Sequence, residues 1–483
     1  MAAGQPAGLI DHITNVSDFI WGGTWNGAPT LPFPPMVIVL FGVGLYIMVG
    51  LRFSPILSLG AAFSGLFKGR KAHGAGEISP FAALSTALSG QVGTGNLTGV
   101  ATAIALGGPG AIFWMWITAL IGMALAFAEG ALAIRFRETT SDGVHRGGPM
   151  TYIMRGLGPK WRWLAILFCI GTMFSALVTG NSAQANAVAD GLNELFGIEE
   201  WLGGLIVAIA VFVVIIGGIK SIGSFAEKIV PAMAFAYIAM SLLAIALNIR
   251  DVPETFALIF SGAFNPQSAA GGFAGAAVIV AIRAGVARGL FSNEAGQGST
   301  PIAHAVAQTE DPLQQGRMAM MGTFIDTIVI CTMTALVILT VEGNFTAGGE
   351  TVPHAWQSDL NGFAMTSGAF AAAFPTPLGG IPAGTLVAGI ALILFVYTTL
   401  LTWSYYGERA ITFFYEWCLA IFFAATQPLD LVWRLGDISN AAMALPNLIA
   451  LALLSGVVFK LAKGDRFAGT DYGSETDEEP QEY

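Results

Sequence analysis

The residues best suited to chemistry lie where polar groups are costly. From Ser85 to Trp116 the chain reads STALSGQVGTGNLTGVATAIALGGPGAIFWMW, apolar enough to enter a bilayer. Its first half nevertheless carries Ser89, Gln91, Thr94, Asn96 and glycines at 90, 93, 95 and 99. In hydrocarbon each unpaired backbone group costs several kcal/mol, so non-helical backbone survives there only where protein buries it or it lines a cavity. Residues Val92–Asn96 then offer free amide N–H groups at the start of a half-helix, a setting that favours an anion such as a carboxylate. Carbonyls ending the preceding half-helix face a cation. A tight packing turn is the alternative use of the same residues. The spacing is not a dinucleotide fingerprint, because position 98 holds Thr98 where G-x-G-x-x-G needs glycine, and no strand precedes it.

A second stretch, Arg288–Ser299 (RGLFSNEAGQGS), is equally polar and glycine-rich within an apolar run. Further on, Tyr397, Thr398 and Thr399 interrupt another apolar run that ends in Trp403. Hydroxyls and freed carbonyls supply the hard oxygens that a monovalent cation takes, although threonine hydroxyls also bond carbonyls of their own helix. Phe174, Phe291 and Trp403 are candidates to wall a small pocket, against ordinary packing as the alternative. Glu129, Arg283, Arg288, Glu294 and Asp326 fall within apolar segments, where ionisable residues mark functional sites or pair structurally. Pairing of Arg288 with Glu294 or Glu129 is expected. His304 is expected at a helix end, with proton coupling as its less favoured use. No H-E-x-x-H, P-loop or G-x-S-x-G occurs, and no nucleophile–base pair stands at helical spacing, so the chemistry on offer is binding, not catalysis.

The elements that must hold these residues are membrane helices. The chain has 483 residues, 54% hydrophobic and 11% charged, with its charges in short islands between apolar runs, as in an all-α polytopic membrane protein. The net charge of −10 is weighted by the tail, where Asp465, Asp471, Glu475, Asp477, Glu478, Glu479 and Glu482 follow the last apolar run. That implies a solvated acidic end and no nucleic-acid partner. Cys169, Cys331 and Cys418 lie in apolar segments without C-x-x-C spacing and are expected as small buried hydrophobes. The N-terminus has no basic n-region or cleavable apolar core, so no signal peptide is expected.

Residues 9–21 show helical apolar spacing and predict a short interfacial helix. Residues 1–35 then form an extracytoplasmic segment, 36–465 the transmembrane domain and 466–483 a disordered cytoplasmic tail. About eleven spans are predicted, at 36–51, 80–105, 110–134, 161–188, 202–219, 227–248, 272–305, 317–341, 381–405, 411–427 and 440–461. With the N-terminus outside, all but four of the 21 Lys and Arg residues fall on the cytoplasmic side. The exceptions are Arg250 and Arg434 outside, and Arg283 and Arg288 within a span. The 342–380 connection, which has no Lys or Arg, then faces outward. One extra span followed by groups of five and five, each opened by an interrupted helix, predicts an inverted repeat with two broken helices and a central site.

Several blocks resemble the sodium:alanine (alanine or glycine:cation) symporter family. They are Gly107–Gly122 (GGPGAIFWMWITALIG), Gly93–Asn96, Arg288–Ser299 and Trp403–Gly407 (WSYYG), and the resemblance extends over residues 30–465. It implies the leucine-transporter fold and sodium-driven uptake of alanine or glycine, with sodium as the co-transported ion. It also implies that the amides of Thr94 and Gly95 bind the substrate carboxylate. The carbonyls of Ser89 and Val92, with the hydroxyls of Thr398 and Thr399, would bind sodium. Asn96 matches a position that holds a second sodium in some relatives, and Phe291, Ser292 and Asn293 enter the substrate site by position in the second break. A proton-coupled or broader amino-acid carrier, and an ion channel using Gln91–Asn96 as a filter, are the competing readings. A filter normally needs a symmetric ring of chains or repeats, whereas two different breaks in one chain favour alternating access.

Overall fold

The computed structural model describes residues 9–31, 33–70, 74–141, 143–264, 274–414, 429–465 and 468, and these are mostly helical. The expected N-terminal helix is α1 (Leu9–Gly22). It is tied to the rest of the protein: Ser17 Oγ donates to Asp437 Oδ2 at 3.3 Å and Trp21 Nε1 to the Asp437 carbonyl at 2.9 Å. The first expected span is α2 (Pro35–Gly50), opened by a proline where a missing N–H costs no helical bond. Two helices without a predicted counterpart follow, α3 (Ser54–Leu57) and α4 (Leu59–Lys68).

The span predicted at 80–105 is two pieces. α5 (Pro80–Gln91) begins at Ser79, whose hydroxyl accepts from the Ala82 N–H at 3.0 Å, and ends where Val92 turns extended. After a wide π-helical turn at Gly95–Gly99 the chain resumes as α6 (Val100–Gly107). Then come α7 (Gly110–Arg135), α8 (Pro149–Tyr152), α9 (Arg162–Ser175) and α10 (Ala183–Phe196), the last two joined by π-helical Ala176–Ser182. α11 (Glu200–Ile215) and α12 (Gly218–Leu247) match the next two spans, and α13 (Val252–Phe264) is an apolar helix that the sequence reading did not separate. α14 (Ala274–Asn293) and α15 (Thr300–His304) are the second broken helix. α16 (Pro312–Thr323) continues through π-helical Phe324–Cys331 into α17 (Thr332–Thr340).

The outward connection expected at 342–380 is structured: a hairpin pairs Glu342–Ala347 with Glu350–His354, and α18 (Gly362–Ala373) follows. Thr366 Oγ1 on α18 donates to the Leu97 carbonyl at 2.9 Å, so this segment lies directly over the first break. Last are α19 (Ala383–Phe414) and α20 (Leu429–Ala462). The span predicted at 411–427 starts within α19, and its remainder, with Cys418, lies outside the described residues, as does most of the acidic tail. Six described helical runs are long and apolar enough to cross a membrane: Gly110–Arg135, Pro159–Asn193, Gly218–Leu247, Pro312–Thr340, Ala383–Phe413 and Leu435–Ala462. Breaks divide the others, and α2 and α11 are apolar but shorter. Large apolar side chains on α11 and α12, among them Ile209, Phe212, Val213 and Phe235, point outward, as a lipid-facing surface requires.

Among the described residues two large apolar cores form the interior, with a small third cluster around Ile78 and Val306. One gathers Leu40, Met123, Phe168, Met320 and Leu448, the other Val100, Tyr237, Val337, Phe370 and Phe395. α5 and α19 contribute to both: Ala87 and Leu401 face the first core, Leu88 and Leu400 the second. The polar residues of the breaks are therefore held by helices that lie between two dry cores. Where α5 begins and α15 ends, the flanks of the two broken helices are joined by main-chain hydrogen bonds. The Glu77 and Ile78 N–H groups reach the Val306 carbonyl at 2.8 and 3.3 Å, and the Gln308 N–H reaches the Ile78 carbonyl at 2.8 Å. Arg137 adds bonds to the carbonyls of Ala307 and Thr309 at 2.7 and 2.8 Å. Glu77 in turn accepts from the His145 N–H at 3.2 Å and meets Lys220 Nζ at 3.3 Å.

Candidate binding site at the two helix breaks

The first break is closed from within. The Gly93 N–H donates to Asn96 Oδ1 at 2.9 Å, and the Thr94 N–H reaches Gln184 Oε1 of α10 at 3.4 Å while Gln184 Nε2 donates to Thr94 Oγ1 at 3.1 Å. The amides of Gly93 and Thr94, expected to be free, thus already have internal acceptors. Asn96 is satisfied because Gly-rich backbone lets its side chain fold back, an arrangement asparagine favours in turns. Glycine is needed here for close approach. A Cβ on Gly93 would lie 2.6 Å from Thr399 Oγ1, and one on Gly95 would lie 3.1 Å from Ser292 Cα.

The second break turns at Glu294, whose φ of +55° is unusual for a residue with a side chain, and continues through Gly296 and Gly298, also at positive φ. Glu294 Oε1 accepts from Trp403 Nε1 at 2.9 Å, and Oε2 from Ser299 Oγ at 2.6 Å. The breaks are tied together by Gln91 Nε2, which donates to the Asn293 carbonyl at 2.6 Å. Behind them, buried Asp326 joins both: Asn96 Nδ2 donates to Oδ1 at 2.6 Å, and Ser292 Oγ to Oδ2 at 2.8 Å. Cys331 Sγ stands 3.3 Å from both Asn96 Nδ2 and Ser292 Oγ. Cys331, like Cys169, is buried in an apolar core as expected, and it also touches this polar cluster.

Between the breaks is a small cavity of about 20 Å³. Gln91, Gly93 and Gly95 line it from the first break, Phe291, Glu294 and Gln297 from the second, Thr179 and Gln184 from the π-helical stretch and α10, Trp403 from α19 and Asn440 from α20. The structure brings Gly95, Phe291 and Trp403 to this wall. It sets Thr94 against Gln184, and Asn96 and Ser292 in the Asp326 cluster. Asn293 is turned so that its Nδ2 donates to Thr327 Oγ1 at 3.1 Å. Phe174 does not join them: it is 54% exposed on α9, just before the π-helical stretch, and is corrected from pocket wall to outward-facing residue.

Of the hydroxyl pair, Thr399 Oγ1 reaches the Val92 carbonyl at 3.2 Å and its own-helix Phe395 carbonyl at 2.9 Å. Thr398 Oγ1 donates to the Phe395 carbonyl at 2.9 Å and lies 3.9 Å from Met233 Sδ. Ser89 Oγ instead meets Thr402 Oγ1, one turn further along α19. The oxygens where α5 ends are therefore matched by Thr399 and Thr402, the second of which sequence reasoning missed. Gln184, Gln297, Thr179 and Asn440 were missed as well, although polar side chains inside apolar runs are a readable signal.

The expected pairing of Arg288 fails, since no described ion pair involves Arg288, Glu294 or Glu129. Glu129 is wholly buried, and its Oε1 accepts from the Gly298 N–H at 3.0 Å and Asn447 Nδ2 at 2.6 Å. His304 is also buried, at the end of α15 against Gln315, with 2.6 Å between Nδ1 and Nε2.

The sequence model of the sodium:alanine symporter family matches residues 20–479. An uncharacterized transporter of Haemophilus influenzae is 42% identical over 463 residues, covering 93% of this chain and 95% of that one. The sodium/alanine symporter AgcS of Methanococcus maripaludis is 42% identical over 468 residues, covering 94% and 97%. A probable sodium/glutamine symporter of Bacillus subtilis, GlnT, is 37% identical over 468 residues, covering 94% and 90%.

Proposed function

The chain belongs to the sodium:alanine symporter family, and we propose that it carries a small neutral amino acid, alanine or glycine, into the cell together with sodium. Membership makes it a multi-pass membrane transporter that couples an amino acid to a cation, and not an enzyme. The finer reading rests on one observation: a single cavity is lined by Gly93 and Gly95 of one broken helix and by Phe291 and Glu294 of the other. A site shared by two interrupted helices changes its access as they move against each other, which is the logic of a carrier.

In this reading the amides of Thr94 and Gly95 take the substrate carboxylate, the Thr94 amide exchanging its long bond to Gln184 for it. Asn96, Ser292 and Asn293 brace the breaks from behind. Phe291 and Trp403 limit the substrate side chain. Sodium lies among the carbonyls of Ser89 and Val92 and the hydroxyls of Thr398 and Thr399. The relatives' names pair sodium with alanine in one case and with glutamine in another, so the family alone leaves the side chain open. The aromatic wall of Phe291 and Trp403 supports a small side chain.

The charge asymmetry supports a cytoplasmic-membrane protein with its N-terminus outside and C-terminus inside. α18 then covers the outer side of the first break, and the bonds of Glu77 and Ile78 with Val306 and Gln308 close the inner side. One span followed by an inverted five-plus-five repeat, eleven in all, completes the proposed architecture.

The test is uptake of labelled alanine by the purified protein in proteoliposomes. Uptake should follow an inward sodium gradient and disappear when potassium replaces sodium. Uptake driven equally well by an inward proton gradient without sodium would reassign the ion, and preferential uptake of glutamine would reassign the substrate.

A further inference from the structure

We propose that Glu294 is the group that receives the substrate's ammonium, so that the site selects α-amino acids over carboxylic acids lacking a charged amine. The inference rests on the amino-acid reading above and names the half of the substrate which that reading leaves unassigned. Among the described residues lining the cavity, Glu294 is the only ionisable one. Its side chain is nearly buried, at 3% exposure. No Lys, Arg or His pairs with it among the described residues. The indole N–H of Trp403 and the hydroxyl of Ser299 hold one carboxylate oxygen each, at 2.9 and 2.6 Å, and both are neutral donors. A carboxylate offers about four acceptor positions, so two donors aim the group and leave capacity for a third partner.

The backbone supports the same assignment. Positive φ at the second break falls on glycine at 296 and 298 but on glutamate at 294. A non-glycine residue held there is strained, and such strain concentrates where a side chain is needed. An ammonium taken out of water without an anionic partner is strongly disfavoured, and Glu294 is the anionic partner that this cavity supplies. Gly95 lines the cavity from the first break and Glu294 from the second, so a zwitterion has one acceptable orientation. Its carboxylate faces the first break, its ammonium the second, and its side chain the aromatic wall.

The experiment is equilibrium competition against labelled alanine on the purified full-length protein, using alanine, lactate and N-acetylalanine, with thermal unfolding as the check on folding. In the wild type, lactate and N-acetylalanine should bind at least about a hundredfold more weakly than alanine, because a site built for hydrogen-bonded charge rejects an analogue that lacks it. In Glu294→Gln, alanine should fall to the level of lactate while lactate is little changed, whereas Glu294→Asp should retain a preference for alanine. Lactate competing as well as alanine in the wild type overturns the proposal even if no variant folds. So does a Glu294→Gln protein that keeps its alanine-to-lactate ratio. Wild-type protein that binds no amino acid overturns the amino-acid reading itself, and this inference with it.

Discussion

Trp403 combines two roles that a pair of substitutions separates. Its Nε1 donates to Glu294 Oε1 at 2.9 Å, and its ring lines the cavity. Trp403→Phe deletes the donor and keeps most of the ring. A hydrogen bond to a charged group contributes about 1.5–3 kcal/mol, so alanine affinity should fall by roughly tenfold to a hundredfold as Glu294 loses its orientation. Leucine should still be rejected. Trp403→Ala removes the wall as well, and each extra methylene that becomes buried is then worth roughly 1–3 kcal/mol. Leucine and valine should begin to compete while alanine weakens further. The assay is displacement of labelled alanine from protein in detergent, run beside thermal unfolding, because emptying a site filled by a 5% exposed indole destabilises the fold by about 3–5 kcal/mol. Unchanged alanine affinity in Trp403→Phe would refute the aiming role. Continued rejection of leucine by a folded Trp403→Ala protein would refute the wall.

Thr399→Val should raise the sodium concentration needed for half-maximal uptake by about tenfold, roughly one lost oxygen contact, and Thr398→Val should raise it less; equal effects in sodium titrations would contradict the observed difference between the two hydroxyls. Gly95→Ala places a methyl 3.1 Å from Ser292 Cα, so the second break must give by a few tenths of an ångström, and alanine binding should weaken, which isothermal titration would detect. Burial raises the Glu77 carboxyl, but hydrogen bonds from His145 and the charge of Lys220 outweigh that and hold it below its ordinary value. A lowered carboxyl stabilises the fold above its unfolded value and loses that contribution as pH falls through its folded value. Glu77→Gln should therefore melt slightly earlier than wild type at pH 7, by about 0.5 kcal/mol, and the two should converge as pH falls through the lowered folded value of Glu77; a gap that widens on acidification would reverse the sign.

Both breaks were legible because apolar context makes polar, glycine-rich backbone conspicuous, and α14 stops where the second polar run was found. What faces a break was not. Gln184 lies 90 residues from Thr94, and Asn447 lies 318 from Glu129, separations that hydropathy cannot join. Phe174 and Trp403 looked equivalent as aromatics in apolar runs, yet one points outward and the other lines the cavity. The π-helical stretch Ala176–Ser182 changes the angular phase of α9 relative to α10, and a 3.6-residue period does not carry through such a turn. The start of α20 was placed eleven residues late because hydropathy discounts the polar residues on its first turns. Ser439 and Asn440 are buried there and bonded to Ser175.

In the proposed orientation the joint between the two inner flanks combines peptide-to-peptide bonds with side-chain bonds from Arg137 and Gln308. Three main-chain hydrogen bonds hold Glu77 and Ile78 to Val306 and Gln308. At about 1 kcal/mol net for each, these three alone contribute about 3 kcal/mol to holding the joint closed, a factor on the order of 100. An unloaded carrier would thus seldom leak inward, and cargo must favour the unlatched form by a comparable margin before release becomes common. Side-chain changes at 77 and 78 leave these three bonds in place, whereas proline at 77, 78 or 308 removes a donor and a Cβ at Gly76 would lie 2.5 Å from the Ala307 main chain.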